Sequence, residues 1–64
     1  MAWLAVNKDD TEKYFGFQKP NRDYYDFWYE EVLGEEFQGK TLKPGTIEKL
    51  IGRKLTWEDE PVEI

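Results

Sequence analysis

Eight aromatic residues stand within the sixteen positions from Tyr14 to Tyr29: Tyr14, Phe15, Phe17, Tyr24, Tyr25, Phe27, Trp28 and Tyr29. Each such ring buries about 150–250 Å², so one face of a small sheet accommodates only about half of the set. A fold that holds this segment must send bulky rings in two directions. It must do so with 64 residues and with neither Cys nor His. A chain of that length buries only about 60% of the surface its unfolded form exposes. Disulfides, thiolate metal sites and imidazole metal sites, the usual staples of small domains, are closed to it. Stability must come from an efficient core or from a partner chain, and residues 1–64 read as a single small domain.

Hydrophobic alternation marks the first elements. Trp3 to Val6 predicts a strand with Leu4 and Val6 on one face and Trp3 and Ala5 on the other. Asn7-Lys8-Asp9-Asp10 is turn chemistry, because Asn and Asp tolerate left-handed backbone and bond their own main chain. Glu12 to Gln18 alternates again, with Phe15 and Phe17 sharing a face, so the first two elements predict a hairpin. Gly16 marks a bulge or a close backbone approach.

Asp23 to Glu31 admits two readings. As a strand, favoured by its aromatic β-propensity, it places Tyr25, Phe27 and Tyr29 on one face and Tyr24 and Trp28 on the other. As a helix, Asp23 caps it, Tyr24, Phe27 and Trp28 align at helical spacing, and Gly34 ends it, but Glu31 then falls in the apolar arc. The strand is the better fit.

Glu36 to Lys43 predicts a further strand broken at Gly39, and Pro44-Gly45 a turn. Thr46 is placed to cap a short helix over 46–52, with Ile47, Leu50 and Ile51 as its apolar stripe and Gly52 as its stop. Leu55 to Trp57 and Val62 to Ile64 read as strands around a polar bend, with Pro61 at a strand start or sheet edge. The expected fold class is α+β: a small antiparallel sheet of four to five strands, a meander or partly open barrel, with one short helix near residues 46–52.

Charge is segregated along the chain. The net charge is −5, yet Lys40, Lys43, Lys49, Arg53 and Lys54 stand against Glu48 alone between residues 40 and 54. Acidic stretches flank this block, and the simplest reading is mutual attraction within the fold. The alternative is a basic patch for weak nucleic-acid binding. Stacking on bases needs rings beside cations, but the basic block contains no aromatic residue, and the aromatic block carries Asp23, Asp26, Glu30 and Glu31.

Enzymatic chemistry is disfavoured. His and Cys are absent, and Thr11, Thr41, Thr46 and Thr56 are the only aliphatic hydroxyls. Glu30-Glu31 and Glu35-Glu36 are neighbours that diverge in a strand. Asp9, Asp10 and Glu12 lack the Gly and closing Glu of a calcium loop, and Lys43-Pro44-Gly45-Thr46 is too short of glycines for a phosphate loop. No cofactor and no metal site is expected. No stretch approaches the roughly 18 apolar residues of a membrane-spanning helix, and a cytoplasmic location is the default expectation.

Two segments, Trp3-Leu4-Ala5-Val6-Asn7-Lys8-Asp9-Asp10-Thr11-Glu12 and the stretch from Pro44 to Glu63 through Ile47-Glu48-Lys49-Leu50-Ile51-Gly52-Arg53-Lys54-Leu55-Thr56-Trp57-Glu58-Asp59-Glu60-Pro61, carry a resemblance. Over about half the chain it resembles short uncharacterised proteins encoded by anaerobic gut bacteria and by their phages or mobile elements. Asp9-Asp10 stands where those proteins carry Asp-Gly, which weighs against a tight two-residue primed turn. The resemblance implies a shared fold and a phage or mobile-element origin; it implies no activity.

The ring excess leaves contact with another protein chain as the functional expectation, either a homodimer or a foreign partner. The residues assigned to that contact are Tyr24, Tyr25, Trp28 and Tyr29. The basic residues Lys40, Lys43, Lys49, Arg53 and Lys54 belong to the nucleic-acid alternative.

Overall fold

The computed structural model describes all residues, Met1–Ile64. Seven short strands and one helix follow in the order β1 (Trp3–Val6), β2 (Glu12–Phe15), β3 (Asn21–Arg22), β4 (Trp28–Val32), β5 (Glu35–Phe37), β6 (Lys40–Leu42), α1 (Thr46–Ile51) and β7 (Val62–Glu63). They form two antiparallel sheets, one of four strands ordered β6-β2-β1-β7 and one of three ordered β3-β4-β5. The fold is the expected small α+β domain, but the sheet is divided in two and closes into no barrel.

The β1–β2 hairpin is the centre of the larger sheet, with Trp3 opposite Phe15 and Val6 opposite Glu12. Its loop is wider than two residues: the Asn7 N–H donates to the Thr11 carbonyl, and Asp10 takes a positive φ of 71°. The alternation read from the sequence assigns both faces of β1. Leu4 and Val6 pack with Ile47 and Leu55, while Ala5 packs with Phe15 and Trp28, flanked by Trp3 and Trp57. Two small cores on opposite faces of one strand are how the chain divides its bulky side chains.

The helix is capped from outside itself. Gly45 is the N-cap residue and supplies no side-chain acceptor. Instead, the Glu12 carboxylate accepts the Gly45 N–H at 2.7 Å through Oε2 and the Ile47 N–H at 2.9 Å through Oε1. The ladder explains this. Glu12 lies opposite Leu42, so β2 delivers the carboxylate to the chain just before the helix. Thr46, the expected cap, donates its hydroxyl to the Lys43 carbonyl. Of the predicted apolar stripe, Ile47 is buried and Ile51 half-buried, but Leu50 is exposed. Gly52 stops the helix in the left-handed region, its N–H donating to Glu48.

Several boundaries differ from expectation. β2 ends at Phe15, and Gly16 to Gln18 bend away, so Phe17 does not share the buried environment of Phe15. Residues 24–26 form a turn rather than a strand, closed by the Tyr25 N–H donating to Asp23 Oδ1 at 2.7 Å and by a positive φ at Asp26. Strand begins only at Trp28, so the strand reading holds for its second half, and the predicted two-faced ring ladder from Tyr24 does not form. Leu55 to Trp57 is not a strand, and Pro61 directly precedes the edge strand β7.

Trp28 joins the two sheets. Its indole N–H donates to the Val6 carbonyl at 2.9 Å, and its backbone N–H donates to Asn7 Oδ1 at 2.9 Å. Its ring meets Trp57 edge-on at 5.6 Å, and the Arg22 guanidinium lies 4.7 Å from both ring centroids. Arg22 also donates to the Trp57 carbonyl at 2.8 Å, which anchors the strandless segment 55–61 to β3.

Candidate functional site

An open aromatic surface lies where β2 leaves the first sheet and β5 passes into β6. Tyr14 is the last outward ring of β2, opposite Lys40 in the ladder. Phe17 follows the bend at Gly16 and is 75% exposed. Phe37 ends β5 and is 45% exposed. With Gly16, Glu30, Gln38, Gly39 and Lys40, these three rings line a groove of about 450 Å³.

Local chemistry fixes this geometry. Gly39 has φ +73°, where L side chains are strained. A Cβ there would lie 2.7 Å from the Phe15 ring and 2.7 Å from the Tyr14 carbonyl oxygen. Only glycine lets β5 pass this close to β2. On the other wall, Glu30 shares a face of β4 with Trp28 and points inward, leaving it only 3% exposed. Glu30 Oε1 accepts the Phe17 N–H at 3.1 Å and the Gln18 N–H at 3.0 Å. The carboxylate therefore holds in place the loop that carries Phe17.

The sequence-assigned contact residues separate in the structure. Tyr24 and Tyr25 sit on the turn between β3 and β4, 94% and 80% exposed, with ring centroids 6.1 Å apart. Tyr29 is half-buried. Trp28 is 3% exposed and belongs to the core; the strand parity that faces it inward also takes it out of any contact surface. Tyr25 borders a second shallow hollow with Asn7, Asp26, Phe27 and Gln38. Gln38 is common to that hollow and to the aromatic groove, so the two surfaces adjoin.

Lys40, Lys43, Lys49, Arg53 and Lys54 are all exposed, and none makes an ion pair. Attraction between the charge blocks does not take the form of salt bridges; the one pair within 4 Å joins Lys8 to Asp26 at 3.8 Å. The five cations are spread over β6, the turn before α1, the last turn of α1 and the chain beyond it. Lys40 alone borders the aromatic groove, while Lys54 borders a hollow shared with Asp10, Glu12 and Glu48.

The acidic turn is likewise resolved into separate duties. The Thr11 hydroxyl beside Asp9, and then the Thr11 backbone N–H donating to Asp9 Oδ1 at 3.0 Å, hold the Asp9 carboxyl below its ordinary value of 3.8. Glu12 is engaged at the helix, and no group of three or more carboxylates converges to hold a metal ion.

Sequence reasoning did not assign Tyr14, Phe17, Phe37 or Glu30 to a site. Gly16 before Phe17 and Gly39 after Phe37 were the available signals, since each breaks a strand and turns the adjacent ring out of the sheet. No helix is long and apolar enough to cross a membrane. No protein-family model, curated protein or solved structure matches this chain.

Proposed function

We propose that this chain is a non-enzymatic module that binds another protein chain through the groove lined by Tyr14, Phe17 and Phe37. The observation that carries the reading is Phe17: a phenylalanine left largely in water at an aromatic groove, in a chain whose buried hydrophobic core has only seven side chains. Full burial of such a ring is worth about 1.5–3 kcal/mol, which a domain this small forgoes when it folds alone. Protein interfaces draw their affinity from aromatic anchors of this kind, seated in concave sites and ringed by polar side chains. Tyr25, next to the groove across Gln38, extends the surface with a second type of residue enriched at interfaces.

Site-specific photocrosslinking tests the reading. Benzoylphenylalanine at position 17, in the cells that encode the protein, is expected to give one discrete protein adduct. The same probe at Leu33, an exposed residue on the β4–β5 turn that does not line the groove, should give none, and adding Phe37→Ser should abolish the adduct at position 17. An adduct of twice the chain mass identifies a homodimer; another mass identifies a foreign partner. No adduct at 17, or adducts of equal yield at 17 and 33, overturns the reading.

A further inference from the structure

Glu30 is the only ionisable side chain in the buried set, and its two oxygens are treated differently. Oε1 is saturated by the N–H groups of Phe17 and Gln18. Oε2 receives no hydrogen bond from the chain, yet no buried polar side-chain atom lacks a partner. Oε2 is therefore the atom through which Glu30 reaches solvent, and the surface that Glu30 lines is the aromatic groove. Two backbone amides and solvent compensate this carboxylate, and a counter-charge at Oε2 would add a charge-assisted hydrogen bond. The chain supplies no cation for it: the single ion pair lies elsewhere, and Lys40 at the groove makes none.

The rings complete the chemistry. The negative face of an aromatic ring attracts a cation within about 6 Å of its centroid. This chain already uses that attraction, with Lys19 over Trp3 at 5.7 Å and Arg22 between Trp28 and Trp57. Tyr14, Phe17 and Phe37 hold no cation of their own. A groove with three unoccupied rings and one open carboxylate oxygen is matched by an alkyl stem that ends in a positive charge.

We infer that the groove takes a lysine side chain presented by the partner protein, its methylenes against Phe17 and Phe37 and its ammonium at Glu30 Oε2. The inference rests on the docking reading above and names the chemistry of its central contact. Lysine is favoured over arginine by the carboxylate itself. A guanidinium fork is best satisfied by two free oxygens, and here one is already occupied by backbone amides, whereas an ammonium is a point donor. Glu35 lies two positions from Phe37, on the same face of β5, and adds an acidic side chain to that strand. The net charge of −5 favours the approach of a basic partner.

The test is a ¹⁵N-NMR titration of the whole chain with Nα-acetyl-lysine methylamide, and with its norleucine and arginine counterparts. The lysine derivative should move the Phe17 and Gln18 amide signals and the Phe37 ring protons, saturating in the millimolar range as suits so small a ligand. Norleucine, of equal stem and no charge, should leave them in place, and arginine should bind more weakly. Glu30→Gln retains an acceptor for the two amides and should weaken lysine binding by about tenfold, the loss of one charge-assisted hydrogen bond. Phe37→Ala, at a half-exposed site, should weaken it several-fold with the amide spectrum otherwise unchanged, which guards against an unfolded Glu30 variant. Equal shifts from norleucine, arginine binding as tight as lysine, or lysine shifts away from residues 17, 18 and 37 overturn the inference. A groove-dependent crosslink at position 17 without lysine binding leaves the docking reading standing and removes the lysine; lysine binding without a crosslink removes the partner, and the proposal with it.

Discussion

Gly39→Ala probes the feature on which the groove depends, the close passage of β5 into β6 over Phe15. Two costs are superimposed there. An alanine at φ +73° is strained by about 1–2 kcal/mol, offset in part by the about 0.4–1 kcal/mol gained from a less flexible unfolded chain. The new methyl must also displace the Phe15 ring or the Tyr14 carbonyl, each 2.7 Å away. Phe15 is fully buried and cannot swing into solvent, so overpacking adds about 1–3 kcal/mol. Gly34→Ala is the matched control, because φ is +80° and nothing lies within 4 Å of its added Cβ. It isolates the backbone cost, and a net loss of about 1 kcal/mol or less is expected. Gly39→Ala should lose about 2–4 kcal/mol in all.

For a domain of this size each kcal/mol moves Tm by about 4–8 °C, so the two variants should melt about 10 °C apart. Urea unfolding followed by circular dichroism and tryptophan fluorescence gives both free energies. Combining Gly39→Ala with Phe15→Leu should recover part of the overlap and yield a favourable coupling of about 0.5–3 kcal/mol. If Gly39→Ala and Gly34→Ala unfold at the same denaturant concentration, Phe15 does not pack beneath the β5–β6 link, and the floor of the groove is not as described.

Glu12→Ala should destabilise the chain by about 1–2 kcal/mol and more than Thr46→Ala does, since Glu12 supplies both acceptors at the helix N-terminus; the reverse order in urea melts would restore Thr46 as the cap. Leu33→Asn should stabilise by about 0.5–1 kcal/mol, because an exposed leucine at φ +53° before Gly34 occupies a turn position that Asn tolerates far better. Asp9 should titrate below 3.8 by carbon-detected NMR. Its lowered folded-state value means that its stabilising contribution is complete above the unfolded value and is lost as pH falls through the folded one; Asp9→Asn should flatten the pH dependence of stability in that window and nowhere else.

The elements most legible in the sequence were those set by local chemistry. Alternation in Trp3-Leu4-Ala5-Val6 assigned both faces of β1, and Gly39 and Gly52 marked a strand break and a helix stop. What escaped depended on contacts distant in the chain. Glu12 caps a helix more than thirty residues away because β2 and β6 are ladder neighbours, and no local pattern reports that pairing. The segment 23–31 misled in its first half because ring-rich composition favours strand at every position, whereas Asp23 and Asp26 fold Tyr24 and Tyr25 into a turn. Trp28 read as a contact residue for the same reason: a ladder beginning at Tyr24 has two faces to fill, but a strand beginning at Trp28 turns that ring into the junction between sheets. Glu30 was read only as one of the acids among the rings and as half of a carboxylate pair that diverges in a strand, although its inward parity with Trp28 was visible in the spacing.

Neither sheet is sufficient alone. Sheets of three or four very short strands are marginal unless a face is packed, and the two here are tied at Trp28 and at Glu30. The Trp28 tie is apolar and closed, with its ring buried and its indole N–H satisfied. The Glu30 tie is polar and half open, one oxygen holding the Phe17–Gln18 loop and the other taking no hydrogen bond from the chain. A structural role alone asks for an acceptor at that position, which a neutral glutamine also provides. A carboxylate whose second oxygen takes no hydrogen bond from the chain exceeds what the loop requires, and Glu30 lines the same groove as Tyr14, Phe17 and Phe37. Under the lysine inference, a residue that ties the two sheets together would also set the specificity of the groove. Whatever binds the groove also bears on the sheet junction, so by linkage a ligand selective for the folded groove raises the stability of the whole domain.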